Sequence, residues 1–271
     1  MILMFKRIFL IVDAGMEVRI VSMYAILISK YSDASFFLVP YTNSKEVSEN
    51  IDFIDKLAKE ERVVTKLLEI NEDLLYELNK IVRDKDLDLI ITTLKRQEND
   101  LFFIGSFSQR LMKYALSSVI GIRIVKVRPL KQHKKLLVPV SNKDYHAKER
   151  IFLIESLSKS LNLKVSVLRC IKNPKGKMDK VEMQNAFNET QNYYSSFINQ
   201  LRKNGIDTNL LIRECEKATD GILDETMASN FDLLFVKSKA QNVLKEFLMG
   251  NEVEDLLRRT PSNVLFWRSR E

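Results

Sequence analysis

KRIFLIVD at residues 6–13 and KKLLVPVS at residues 134–141 read as two versions of one segment: two basic residues, a run of apolar residues, then a polar one. An apolar run of that length, rich in Ile, Leu and Val, suits a strand buried on both faces. Working outward, more of the first half returns in the second. DLIIT (88–92) matches DLLFVK (232–237), FFIGS (102–106) matches FLMGN (247–251), and SVIGIR (118–123) matches NVLFWR (263–268). The first pair is offset by 128 positions and the later pairs by about 145, so the second half carries an insertion, placed around residues 173–200.

Between these strands lie segments of helical character. Residues 16–31 (MEVRIVSMYAILISKY) and 145–161 follow the first strand of each half, with apolar positions recurring at three- and four-residue spacing. SFFLVP (35–40) and KVSVLRC (164–170) read as second strands, and VVTKLLE (63–69) and DTNLLIR (207–213) as third strands. Residues 44–59, 181–203, 71–83 and 219–229 read as the intervening helices. Each half is therefore β-α-β-α-β-α-β-α-β. That alternation predicts an α/β fold with a parallel sheet, helices on both faces and right-handed crossovers. The expectation is two tandem five-stranded parallel-sheet domains, residues 1–130 and 131–271, joined near residues 129–135.

Composition agrees. With 271 residues, 45% hydrophobic and 29% charged, the chain is long enough for two domains with a core each. The net charge of +7 is spread along the sequence, apart from KQHKK at 131–135, which reads as a soluble basic linker. Basic and aromatic residues are not interleaved on a strand, so no stacking platform for nucleic acid is evident. The N-terminal apolar run is broken by Lys6 and Arg7 and stopped by Asp13, too short for a signal peptide or a membrane span. Cys170 and Cys215 each end an apolar run and read as isolated small hydrophobes, consistent with a reducing cytoplasm.

In an open parallel sheet ligands bind beyond the carboxyl ends of the strands. The fourth strand of each half leads to Gly105-Ser106 or Gly250-Asn251 and then a helix. A glycine there permits close backbone approach to a phosphate, and the helix start favours an anion. Helix capping is the competing explanation, because Ser106-x-x-Gln109 and Asn251-x-x-Glu254 are also capping boxes.

The chain resembles the universal stress proteins, whose motif is G-x2-G-x9-G-S/T after the fourth strand and Pro-x-Asp at the end of the first. Here the spacing persists while glycines are replaced: Thr92-x2-Lys95-x9-Gly105-Ser106 in the first half and Lys237-x2-Ala240-x9-Gly250-Asn251 in the second. Asp13 matches the family's aspartate, with Ile11 in place of the proline; Pro139 is kept, with Ser141 in place of the aspartate. The resemblance covers essentially the whole chain and implies the adenine nucleotide alpha hydrolase-like, Rossmann-like fold. It implies an adenine nucleotide such as ATP at Gly105 and Ser106 (phosphates) and at Asp13 and Val39 (nucleoside). Thr92 and Lys95 stand where the family has small residues, and Lys95 could supply a cation to phosphate. In the second half Lys237, Gly250 and Asn251 form a weaker counterpart. The family would also pair the halves about a pseudo-twofold axis through the fifth-strand edges, residues 119–127 and 264–267; a further homodimer is allowed but not required.

Other chemistries lack a motif. There is no G-x-x-x-x-G-K-S/T loop, no G-x-G-x-x-G and no G-x-S-x-G. His133 and His146 are not in metal-ligand spacing, so no metal is expected. No acid/base pair stands near the motif, so no catalytic residue is expected. The resulting expectation is a cytoplasmic, non-catalytic binding or regulatory module. A ligand-free interaction scaffold and a slow nucleotide hydrolase are the alternatives.

Overall fold

In the computed structural model of the chain, residues 4–70, 73–82, 88–95, 106–141, 147–173, 178–238 and 252–270 are described. In the first half the elements are β1 (Arg7–Val12), α1 (Glu17–Ser32), β2 (Ser35–Pro40), α2 (Lys45–Glu60), β3 (Thr65–Leu67), α3 (Leu74–Ile81), β4 (Asp88–Thr93), α4 (Ser106–Tyr114) and β5 (Ser118–Arg123). After a 3-10 turn at Leu130–Gln132 come β6 (Lys135–Val140), α5 (Ala147–Leu161), β7 (Lys164–Lys172), α6 (Lys180–Lys203), β8 (Thr208–Cys215), α7 (Ala218–Ala228), β9 (Leu233–Ser238), α8 (Glu252–Arg259) and β10 (Asn263–Arg268). Among the described residues no helix is long and apolar enough to cross a membrane.

The strands form as their apolar runs require. All six residues of β4 and of β10 are buried, as are five of six in β1 and in β5. A strand buried on both faces must sit inside a sheet covered by helices on both sides. β3 is shorter than its sequence suggests, because it is an edge strand whose Lys66 and Leu67 lie exposed. The insertion expected in the second half takes the form of a longer helix: α6 has 24 residues where α2 has 16. α6 opens on a complete capping box, with the Glu182 amide donating to Asp179 and the Asp179 amide donating to the Glu182 carboxylate.

The expectation of two separate five-stranded sheets is corrected. The first five strands run β3-β2-β1-β4-β5 and are followed by β10 from the second half, which leaves the order β9-β6-β7-β8 for the rest. The reason lies in β5 and β10, which would each end a five-stranded sheet. Both are nearly or wholly buried, and an apolar strand left as an open edge would offer unpaired N–H and C=O groups to any other chain.

Two compact units are distinguished. The first comprises residues 4–127, Ser238 and residues 265–270; the second comprises residues 128–237 and 252–264. Within the first unit β1 pairs in parallel with β2 and β4, β2 with β3, and β4 with β5. The C-terminal segment is tied into this unit: Arg268 Nη2 donates to the carbonyls of Ala115 (2.8 Å) and Ser117 (2.6 Å), and the Arg270 amide donates to Ser118 Oγ (3.0 Å). Within the second unit β6 pairs in parallel with β7 and β9, and β7 with β8. The basic segment before β6 is not a free linker. His133 is fully buried, and Asp232 accepts from Arg128 Nη2 and from the amides of Lys134 (2.5 Å) and Lys135 (3.0 Å).

Candidate functional site

In the first unit the strand order reverses at β1 and β4. From β1 the chain runs outward to β2 and β3, whereas β4 leads to β5 on the other side. Loops that diverge from two adjacent parallel strands leave a crevice beyond their carboxyl ends. Asp13 directly follows β1, and Lys95 lies two residues beyond β4. The structure joins them across this crevice: Lys95 Nζ is 2.5 Å from Asp13 Oδ1, which also accepts the Gly15 amide at 2.7 Å. Charge-assisted bonds of this kind are the stronger ones. Among the described residues Asp13 Oδ2 takes no bond, and it remains able to accept from a hydroxyl.

Gly15 makes this arrangement possible. A Cβ on it would stand 2.1 Å from Lys95 Nζ and 2.6 Å from Lys95 Cε. The loop is fixed from beneath by α2. Asn50, almost fully buried, donates Nδ2 to the carbonyls of Asp13 (2.9 Å) and Gly15 (3.2 Å) and accepts from Arg19 Nε (2.7 Å). The Arg19 guanidinium lies over the Phe53 ring, 4.8 Å from its centroid.

The other first-half positions fall around this pair. Thr92 is buried in β4 opposite Gly121 of β5, and Val39 is fully buried in β2 opposite Ile11, so neither side chain faces solvent. Gly105 lies outside the described residues, and Ser106 is the first residue of α4. The start of α4 reaches the end of β4, where Ser108 Oγ donates to the Thr93 carbonyl (3.1 Å). Phe107 meets Tyr41 with ring centroids 4.7 Å apart, and the Tyr41 amide donates to the Val12 carbonyl (2.9 Å). Aromatic rings from the β2 end and the α4 start thus come together at the carboxyl end of this half-sheet. Farther along α4, Arg110 is bonded to Asp73 (2.8 Å), the N-cap of α3. That guanidinium, with help from the Tyr76 amide, holds the Asp73 carboxyl below the usual range.

The second unit repeats the scaffold without the carboxylate. Tyr194 on α6 donates its hydroxyl to the carbonyl of Ser141, the position matching Asp13. Arg150 on α5 donates to the Pro139 carbonyl (2.7 Å), and its guanidinium lies 5.7 Å from the Phe197 ring centroid. Asn50 with Phe53, and Tyr194 with Phe197, are the same spacing on the same helix of each unit. The sequence reading overlooked this recurrence, although NIDF (50–53) and YSSF (194–197) display it. Lys237 sits near the end of β9, half-buried, while Gly250 and Asn251 lie outside the described residues. A cleft of about 230 Å³ opens between the far end of β7 and α6, lined by Arg169, Ile171, Glu189, Thr190, Tyr193 and Tyr194. Among the described residues no group of three His, Cys, Asp or Glu side chains is placed to hold a metal ion.

No family model and no curated protein matches the chain. Solved structures do. A putative universal stress protein from Pseudomonas aeruginosa UCBPP-PA14 aligns with 99% of this chain and 95% of its own at a TM-score of 0.66 and 16% identity. A universal stress protein from Archaeoglobus fulgidus aligns over 99% of both chains at 0.60 and 15% identity. The cytoplasmic domain of a prokaryotic cation chloride cotransporter covers 97% of this chain and 95% of its own at 0.67 and 11% identity. At these identities the likeness is one of fold, and it runs the length of the chain: this protein has the fold of the universal stress proteins.

Proposed function

We propose that the protein is a non-catalytic regulatory module that takes an adenine nucleotide in its first unit, at Asp13, in competition with its own Lys95. The observation that carries this reading is the 2.5 Å bond from Lys95 to Asp13 across the switch point of the strand order. A carboxylate beyond the end of the first strand suits a ribose hydroxyl. An internal ammonium on the same carboxylate weakens that contact, because a ligand must displace it or share the site. The pair is partly exposed, so its rupture costs about 1 kcal/mol, or roughly fivefold in affinity. The second unit has Ser141 at the matching position, so it lacks the carboxylate.

Adenosine and ATP separate the two roles of Lys95. Lys95→Ala should tighten adenosine roughly fivefold by freeing Asp13, whereas for ATP the gain is offset by loss of a cation near the phosphates. Asp13→Ala should abolish binding of both, and Ser141→Ala should change neither. Calorimetric titration of the four proteins decides the matter. If none of them takes adenosine or ATP at millimolar concentration, the ligand-free scaffold replaces this reading. Mg²⁺-dependent ATP turnover that disappears in Asp13→Ala would replace it with a hydrolase.

A further inference from the structure

The chain's only two cysteines, which the sequence reading kept apart, meet in the second unit. Cys170 lies on β7 opposite Arg213, and Cys215 ends β8 opposite Lys172. They are therefore diagonal neighbours on adjacent parallel strands, two residues out of step. That even offset places both side chains on the same face of the strand pair. Helix α7 packs on this face with a glycine. A Cβ at Gly221 would stand 2.9 Å from Cys170 Sγ, 3.0 Å from Cys215 Cβ and 3.2 Å from Cys215 Sγ. Both sulfurs crowd one point, and any side chain there would push them away.

Their environments differ in a useful way. Cys170 is buried and Cys215 is half-buried. Burial, then the charge and the hydrogen bond of Cys215 beside it, pushes the Cys170 thiol up to about 12. Cys170 thus stays a protonated thiol at neutral pH, while Cys215, at the end of its strand, is the less buried of the two residues. Its thiol points toward the Ile171 carbonyl at 3.8 Å. Nothing in the first-unit site uses either residue.

We propose that Cys170 and Cys215 are a peroxide-responsive dithiol that closes reversibly to an intrachain disulfide between β7 and β8, with a shift of the two strand ends, because a two-residue offset sets the Cα atoms farther apart than a relaxed disulfide spans. In the first step the Cys215 thiolate attacks one oxygen of a hydroperoxide. The O–O bond breaks, an S–O bond forms, and the other oxygen leaves as an alcohol, or as water from hydrogen peroxide, after taking a proton. Cys215 is then a sulfenic acid. In the second step Cys170 sulfur attacks Cys215 sulfur. The S–S bond forms, the S–O bond breaks, and the departing hydroxide takes the Cys170 proton and leaves as water. Two electrons pass from the sulfurs to the peroxide. A thiol disulfide-exchange reductant reverses the reaction.

The test uses the full chain and hydrogen peroxide. Native protein should show two titratable thiols before treatment and none after, with an intact mass lower by two hydrogens. The product should be monomeric on a non-reducing gel and return to two thiols with dithiothreitol. Cys170→Ser should leave a Cys215 sulfenic acid that dimedone captures, because its resolving sulfur is gone. Gly221→Ala should slow closure by spreading the sulfurs. Because wild-type protein answers the main question, misfolding of a variant does not blunt the test. Two thiols still titratable after treatment, a disulfide between two chains, or over-oxidation of Cys215 with Cys170 left free would each overturn the proposal.

Discussion

Gly15 decides where the Lys95 ammonium can rest. The atoms that a Cβ at this position would strike are the end of Lys95 and, at 2.8 Å, the Glu17 carboxylate. Both are ends of flexible side chains, so Gly15→Ala should displace them at a cost under about 1 kcal/mol rather than disrupt the loop. The variant should therefore mimic Lys95→Ala and tighten adenosine, with urea unfolding little changed; unchanged adenosine affinity would show that Lys95 does not guard Asp13. A second residue-scale effect lies at Glu225. Burial raises its pKa, but the Ser229 hydroxyl (2.6 Å) and the Arg213 guanidinium (2.9 Å) outweigh it and hold the carboxyl below the usual 4.5. A depressed folded value means stability that is complete above the unfolded pKa and lost as pH falls through the folded one. Glu225→Gln should thus be less stable than wild type at neutral pH by up to about 1 kcal/mol and equal to it in strong acid, as read from urea midpoints. Of these residues Asp13 and Lys95 were legible beforehand, each as a position of the stress-protein motif, but their pairing was not. The partner of Asp13 is 82 positions away and is admitted by the lack of a side chain on Gly15. Cys170 and Cys215 were likewise unreadable as a pair, since strand register alone brings them together.

At the scale of elements, β5 sets the position of the loop that carries Lys95. Gly121 lies opposite Thr92, and Leu94 folds over it so closely that a Cβ would be 2.6–2.9 Å from three of its side-chain carbons. The Leu94 amide also donates to the Ile122 carbonyl at 2.8 Å. Leu94 is buried, so it cannot retreat as Lys95 can. Gly121→Ala should cost about 1–3 kcal/mol through overpacking. Adding Leu94→Ala should return part of that loss, a non-additivity expected of two residues in contact. Additive losses in urea unfolding would mean that Leu94 does not press on Gly121. The strands themselves were the most legible part of the fold, because burial on both faces writes an uninterrupted apolar run. β3 was overlong in the sequence reading for the complementary reason. On this edge Val64 and Leu67 lie exposed although Val63 is buried, and the strand is only three residues long.

For the whole molecule, the repeat placed the division of the chain near residue 130, yet the first unit also holds residues 265–270. β10 stands next to β5 in the sheet, and Arg268, almost fully buried, satisfies the carbonyls of Ala115 and Ser117. A sequence repeat shows which segments correspond; it cannot show which copy's neighbourhood each of them joins. A fragment of residues 1–130 would keep all five strands of the first half but lose this C-terminal segment. Two carbonyls would be left without their donor, at about 1–3 kcal/mol each where water cannot reach them. The apolar β5 would become an open edge, the arrangement that promotes pairing between chains. The fragment should therefore be destabilised and associate through β5, seen as a rising mass in light scattering with increasing concentration. A synthetic peptide of residues 261–271 supplied in excess should restore a monomer, whereas the same peptide with Arg268→Ala should do so less well. A fragment that is monomeric without the peptide, and as resistant to urea as the intact chain, would show that β5 needs no neighbour and that the C-terminal segment adds nothing to the first unit.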